Sequence, residues 1–338
     1  MPLEEQGTKL CALQSFAIAD MPARLYRFRS CNERNIDAFY KDQLWASTAD
    51  CMNDAFDARV FFPKEEVKQY FESITVDTVK DLLLNRKSSL SSEWQQLAEQ
   101  SVLTLPEETL LQALTQTVDY IHTNTAQAML ETSEAAQRTI KFCCFSEKLT
   151  SPYMWGLYAA NETGFCLEYD FSSMPYVSSG SLSKTIQSLL FPIVYKQERY
   201  KVPADYIIYL LINHLFNTLF DLHGIDLSLR QMILGSVHLP CPDITVATKL
   251  ALYKSTEWSG EAEWRLFCSS IDDSAFQQAK KSFVVKQPTG IYLGRRISQI
   301  YEKILCSLSA EKGIPVYKMA LNDELPSYEL IYNTLLLR

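Results

Sequence analysis

From Glu261 to Cys268 the chain alternates without a break. Glu261, Glu263, Arg265 and Phe267 fall on one side of an extended strand, and Ala262, Trp264, Leu266 and Cys268 on the other. The second set makes an ordinary buried face. The first sets two carboxylates and a guanidinium side by side next to a phenyl ring. Neighbouring like charges raise the proton affinity of one carboxyl, and an adjacent arginine opposes that. Such groupings are enriched at active sites, although structural ion-pair networks make them too.

A second run of unusual residues lies near the start. Arg24 to Ser30 alternates basic and apolar residues, which predicts a strand with Arg27 and Arg29 on one face. Asn32 to Lys41 predicts a short helix capped at Cys31 or Asn32, and Gln43 to Thr48 a second strand. The loop Ala49 to Asp57 follows, rich in Asn and Asp side chains that bond their own backbone. Further strands are expected at Thr139–Ser146, Gly164–Asp170, Phe191–Tyr195, Phe283–Lys286, Gly290–Gly294 and Val316–Lys318. A short helix or turn is expected at Met154–Tyr158, after Pro152, and helices at Ile244–Tyr253, Asp272–Lys281 and Ile297–Leu308. Two longer stretches, about 63–140 and 203–253, carry leucine-rich spacing of helical period and read as helical blocks inserted into the sheet. The expected organisation is a lead-in over 1–22 and one α+β domain over 23–338, with a mixed or antiparallel core.

Composition excludes several classes. A net charge of −8 argues against wide electrostatic contact with nucleic acid, and ten glycines leave no phosphate-cradling loop. No apolar run is long enough to span a bilayer, and the first twenty residues lack the pattern of a secretory signal. Nine cysteines show neither a Cys-x-x-Cys nor a zinc-caging spacing. Buried free thiols in a reducing cytoplasm, with no membrane partner and no metal, are therefore expected.

Leu44-Trp45-Ala46-Ser47 followed by Asn53-Asp54-Ala55-Phe56 resembles the Leu-Trp-Phe-Ser…Asn-Asp-Pro-Phe pattern of a mainly bacterial family catalogued as a domain of unknown function. That family also carries a Ser…Met-Trp-x-x-Tyr…Gly-x-Cys block, matched by Ser146, Met154, Trp155, Tyr158, Gly164 and Cys166. Its Trp…Glu-x-Glu-Trp-Arg block is matched by Trp258, Glu261, Glu263, Trp264 and Arg265. Ala55 stands where the family usually has Pro, and Asn161 where a His is common.

The order of an early arginine, a Ser-Thr pair and a late Glu-x-Glu is also similar to the Arg-Ser-Glu class of ADP-ribosyltransferases. That resemblance implies an ADP-ribosyltransferase-like core and NAD as substrate. Arg27 or Arg29 would hold the NAD diphosphate, Ser47 and Thr48 would brace the site, Glu263 would bind the ribose and Glu261 would face the acceptor. It departs from the class in having Ala49 where a third hydroxyl would stand, and in a long Arg-to-Glu separation. The chemistry also has its own physical case. Cleaving nicotinamide from ribose builds positive charge at the anomeric carbon, which a carboxylate stabilises. An arginine suits a diphosphate, Tyr26, Trp45 and Trp155 would stack on adenine or nicotinamide, and Tyr158 is a further cofactor-binding candidate.

Plainer readings stand beside these. Glu261, Glu263 and Arg265 can be a charge ladder, Ser47-Thr48 a cap, Asn53-Asp54 an Asx turn, and Trp155, Trp258 and Trp264 core. Three functions follow. The first is an ADP-ribosyltransferase or NAD glycohydrolase acting on a protein or nucleic-acid acceptor, as a toxin or anti-phage defence effector. The second is a non-catalytic nucleotide-sensing or protein-binding module. The third is a Mg²⁺ nuclease using Asp54, Asp57, Glu261 and Glu263.

Overall fold

The computed structural model describes residues 22–59, 61–73, 134, 137–138, 140–171, 190–204, 206–207, 249–267 and 283–334. The lead-in, most of both expected helical blocks and the expected helix at 272–281 lie outside them. The chain divides into two compact units, one of residues 1–59, 135–199 and 248–338, the other of residues 60–134 and 200–247.

The first unit is an α+β structure on a nine-stranded sheet. Its strands are β1 (Arg24–Arg29), β3 (Ser47–Thr48), β4 (Lys141–Ser146), β5 (Phe165–Asp170), β6 (Leu190–Pro192), β9 (Glu263–Phe267), β11 (Gly290–Leu293), β12 (Val316–Ala320) and β13 (Ile331–Thr334). They run in the order β13-β12-β11-β5-β1-β4-β9-β6, with β3 alongside the start of β4. The β11–β12 pair is parallel and the other pairs are antiparallel. Two short ribbons accompany the sheet: β2 (Gln43–Trp45) pairs antiparallel with β10 (Phe283–Val285), and β7 (Val194–Lys196) pairs parallel with β8 (Tyr253–Ser255).

Local chemistry explains the helix ends. Helix α1 (Glu33–Tyr40) starts at Asn32, whose side chain accepts the Asn35 N–H at 2.9 Å. Helix α3 (Pro152–Tyr158) has Ser151 as its cap and Pro152 in the first turn, where a missing N–H is harmless. Helix α4 (Gln299–Lys312) starts at Ser298 and stops at Gly313, whose φ of 67° suits a residue without Cβ.

Several expectations need correction. Gln43 to Thr48 is two strands, because the chain changes partner at the buried Ala46: β2 pairs with β10 and β3 with β4. Phe191 to Tyr195 likewise breaks at Ile193, between β6 and β7. Of the helix expected at 244–253, residues 249–250 are helical, and only its last residue, Tyr253, passes into strand β8, which pairs with β7. Strand β13 had no signal, since its four residues are exposed and show no alternation.

Both faces of the sheet are packed. One carries Leu25, Cys143, Phe145, Leu167, Tyr169, Trp264, Leu266 and Ile291, packed with Phe39, Leu44, Val284 and Leu305. The other carries Phe28, Cys166, Tyr292 and Met319 around Trp155, which is fully buried and meets Phe28 edge-on at 5.2 Å. Close approach decides two glycines. A Cβ on Gly294 would lie 2.1 Å from the Glu162 carbonyl oxygen, and one on Gly164 would lie 2.1 Å from that of Arg29. Backbone cannot swing aside as a side chain does. Gly294→Ala is therefore expected to lose at least the ~1–3 kcal/mol of an overpacked site, read by urea unfolding.

In the second unit, α2 (Lys64–Ser73) begins in the stretch expected to be helical. Phe61 bridges to Lys201 in parallel fashion, its N–H donating to the Tyr200 carbonyl at 2.9 Å, and Lys201 pairs with Glu66. Among the described residues, no helix of the chain is long and apolar enough to cross a membrane.

Candidate functional site

Strand β9 carries the alternation read from the sequence over Glu263 to Phe267, with Trp264 and Leu266 in the core. Glu261 is not on that strand. It ends a 3-10 turn over Thr256–Glu261, and Ala262 follows in the left-handed region at φ 43°. The kink brings the Glu261 carboxylate back to Lys254, so the two glutamates meet without sharing a strand face. For a residue with a Cβ that conformation costs roughly 1–2 kcal/mol. Ala262→Gly is accordingly expected to leave stability unchanged or raise it by up to about 1 kcal/mol, as a shift of the urea midpoint.

A buried ladder of ions results. Arg265, fully buried, donates from Nη1 and Nη2 to both oxygens of Asp57 at 2.6 Å, and from Nε to Glu263 at 2.8 Å. Its Nη1 also donates to the Ala251 carbonyl at 2.7 Å, and its guanidinium lies 4.2 Å from the Phe142 ring centre. Lys254 Nζ donates to Glu263 at 3.2 Å and to Glu261 at 2.6 Å. The Tyr158 hydroxyl donates to the other Glu261 oxygen and accepts from the amide of the exposed Asn53 at 2.9 Å. The ladder thus runs from Asp57 through Arg265, Glu263, Lys254 and Glu261 to Tyr158, three carboxylates alternating with two cations. The half-buried Tyr158 and Trp258 and the exposed Tyr153 surround its outer end, with Lys254 Nζ 4.8 Å from the Trp258 ring centre.

Proton affinities along the ladder diverge. Burial works against ionisation of Glu263, but Arg265 and Lys254 together outweigh it and hold its carboxyl down at about 2. Burial raises Glu261 above the ordinary carboxylate value, and Lys254 and Tyr158 offset only part of this. Asp57 is raised by burial too, against the pull of Arg265.

The sign of the stability effect follows. A carboxyl depressed in the folded state from 4.5 to about 2 stabilises the fold above the unfolded value, and that stabilisation is lost as pH falls through the folded one. For Glu263 this is about 3 kcal/mol. Glu261 and Asp57, being raised, act in the opposite sense. The stability difference between the unaltered protein and Glu263→Gln is therefore expected to shrink from pH 6 toward pH 3 in urea titrations.

Five sequence-predicted residues meet in this ladder: Asn53, Tyr158, Glu261, Glu263 and Arg265. Trp258 packs on it through Lys254. Asp57 received less weight in the sequence, and Lys254 none. Its partners lie seven and nine residues on, beyond the 3-10 turn, where no simple period points.

The remaining predicted residues lie elsewhere. Directly paired residues of neighbouring strands share a face. Tyr26 faces Ser146, and Ser146 faces Glu263, so Tyr26 and Glu263 lie on one side of the sheet and Arg27 on the other. Arg27 and Arg29 therefore stand among the residues packed around Phe145 and Tyr169, while Ser47, paired with Phe142, stands on the side of Glu263. The expectation that the early arginines and the late glutamates meet in one hollow is not realised in this register. Trp155 is no stacking platform: it is enclosed in the core with its indole N–H donating to the Leu149 carbonyl at 2.7 Å. Tyr26 is half-buried, edge-on to Tyr292 at 6.1 Å. Thr48 donates to the Asp50 side chain, and Asp54 makes the Asx turn, accepting the Phe56 N–H at 2.9 Å.

Comparison with known proteins adds one result. No curated protein and no solved structure matches the chain. A family model described as Protein of unknown function (DUF2971) matches residues 154–266, which hold most of α3, strands β5 to β8, and β9 up to Leu266. That stretch, which supplies Tyr158, Lys254, Glu261, Glu263 and Arg265 to the ladder, is similar to this uncharacterised family.

Proposed function

We propose that this protein is a non-catalytic binding module that senses a nucleotide-type ligand, and that its Glu-x-Glu pair serves as internal counter-ions. One observation carries this reading: Glu263 is bonded to two buried cations and Glu261 to one of them, on the side of the sheet opposite Arg27. A carboxylate so engaged must break a buried pair before it can meet a substrate, and breaking such a pair is strongly unfavourable. The aromatic groups around the outer end of the ladder suit a planar ring instead.

A second reading, NAD cleavage with transfer of ADP-ribose to a macromolecular acceptor, is favoured by a different observation. Two neighbouring carboxyls have proton affinities pushed apart, which is how acid and base roles are divided at many active sites. In that reading Glu261, with Tyr158 and Asn53 leading to the surface, meets the acceptor, and the protein acts as a toxin or defence effector. Incubation with NAD, with and without cell lysate as a source of acceptor, separates the two. The binding-module reading expects no nicotinamide release above a protein-free blank. Release that drops on the order of 10²-fold or more in Glu261→Gln or Glu263→Gln would replace it with the enzymatic one.

A further inference from the structure

The sheet face opposite the ladder holds a charge that no carboxylate among the described residues balances. Arg27 is 7% exposed, and among the described residues its Nε and Nη1 have no hydrogen-bond partner. Its Nη2 donates to the Trp45 carbonyl at 2.7 Å, and its guanidinium lies 5.5 Å from the Phe145 ring centre. Arg29, two residues on and therefore on the same face, is half-buried. Neither arginine pairs with a carboxylate among the described residues. The groups that bear on both are the Tyr169 hydroxyl and the Cys143 and Cys144 thiols, which are neutral when protonated. Burying one unpaired guanidinium is costly, and setting a second beside it adds repulsion. Arg29 accordingly holds its proton less tightly than usual, lowered to about 9 by burial and then by Arg27.

We propose that Arg27 and Arg29 form a receptor for a phosphate-type oxyanion, with Arg27 at the closed end and Arg29 at the end reached from solvent. A dianion balances two guanidinium charges where one carboxylate would leave half the charge over. Its several oxygens accept from more of the open N–H donors than a single carbonyl does. The Tyr169 hydroxyl lies in the same surroundings as a further donor. This goes beyond the binding-module reading, because the two arginines lie on the other face of the sheet from the aromatic groups at the outer end of the ladder. The receptor itself stands on the unpartnered donors.

The test is a titration of the full chain with inorganic phosphate, and in parallel with ADP, in buffers matched for ionic strength with chloride. Thermal midpoint and calorimetric heat are followed for the unaltered protein, Arg29→Gln and Arg27→Met. Saturable binding of either probe is expected, weakened at least tenfold in Arg29→Gln and lost in Arg27→Met. Arg27→Met should not lower the midpoint in phosphate-free buffer, because the uncompensated charge leaves with the side chain. Arg29→Gln, at a half-buried position, keeps the test valid if Arg27→Met folds poorly. Binding of phosphate itself identifies a free-anion receptor, and binding of ADP alone a nucleotide's phosphate. Absence of saturable binding of both, or binding equally tight in Arg29→Gln, overturns the proposal. Nicotinamide release from NAD would refute the non-catalytic reading while leaving this result standing, so the two fail separately.

Discussion

Arg265→Met is expected to destabilise the protein by about 3–5 kcal/mol in urea unfolding, among the largest effects of any single substitution in the sheet. The methionine fills much of the same space, so the loss is electrostatic rather than a cavity. Asp57 and Glu263 would face each other across the vacated position, both nearly sealed from water. The Ala251 carbonyl would lose its donor and the Phe142 ring its stacked cation. Removing the stranded charge as well should recover part of the loss: Arg265→Met with Asp57→Leu is expected to be more stable than Arg265→Met alone. A loss below about 1 kcal/mol would mean that the ladder behaves like an exposed ion pair.

Lys254→Met is expected to have the second largest effect, again about 3–5 kcal/mol, but with a different pH signature. This cation lies between two glutamates, and without it Glu261 and Glu263 repel each other at close range. One of them must then take up a proton. Glu261, already raised by burial, is the one that does so, with Tyr158 turning its hydroxyl to suit. The defect should therefore diminish as pH falls from 8 to 5, which an Arg265 variant should show less strongly. Glu261→Gln placed in the Lys254→Met background should recover about 1 kcal/mol or more, a coupling expected of residues in direct contact.

Much of the sheet was legible in the sequence because local patterns decide it. The alternation in Glu263 to Phe267, the Asn32 cap and the Pro152 helix start each rest on residues within a few positions of one another. The convergence of Asn53, Tyr158 and the Glu-x-Glu-Trp-Arg block was legible as a set of ordered motifs, although not as a ladder. Which sheet face each residue occupies was not legible. The alternation in β1 is satisfied equally by either assignment, and only the pairing of Tyr26 with Ser146 selects one. A slip of one residue there would have put Arg27 on the side of Glu263. Reading Glu261 at strand period failed for another reason: a left-handed alanine carries no sequence signal, since glycine is the residue expected at such a turn. The Arg27 and Arg29 pair was legible as cationic, but not that among the described residues neither pairs with a carboxylate.

Side-chain carboxyl titration by ¹³C NMR tests the claim that the glutamates are internal counter-ions most directly, with Glu261→Gln and Glu263→Gln for assignment. Glu263 is expected to stay ionised until about pH 2, while Glu261 takes up its proton above the ordinary glutamate value of 4.5. A Glu263 midpoint at or above 4.5 would mean that Lys254 and Arg265 do not hold it, leaving the carboxylate free to serve a substrate.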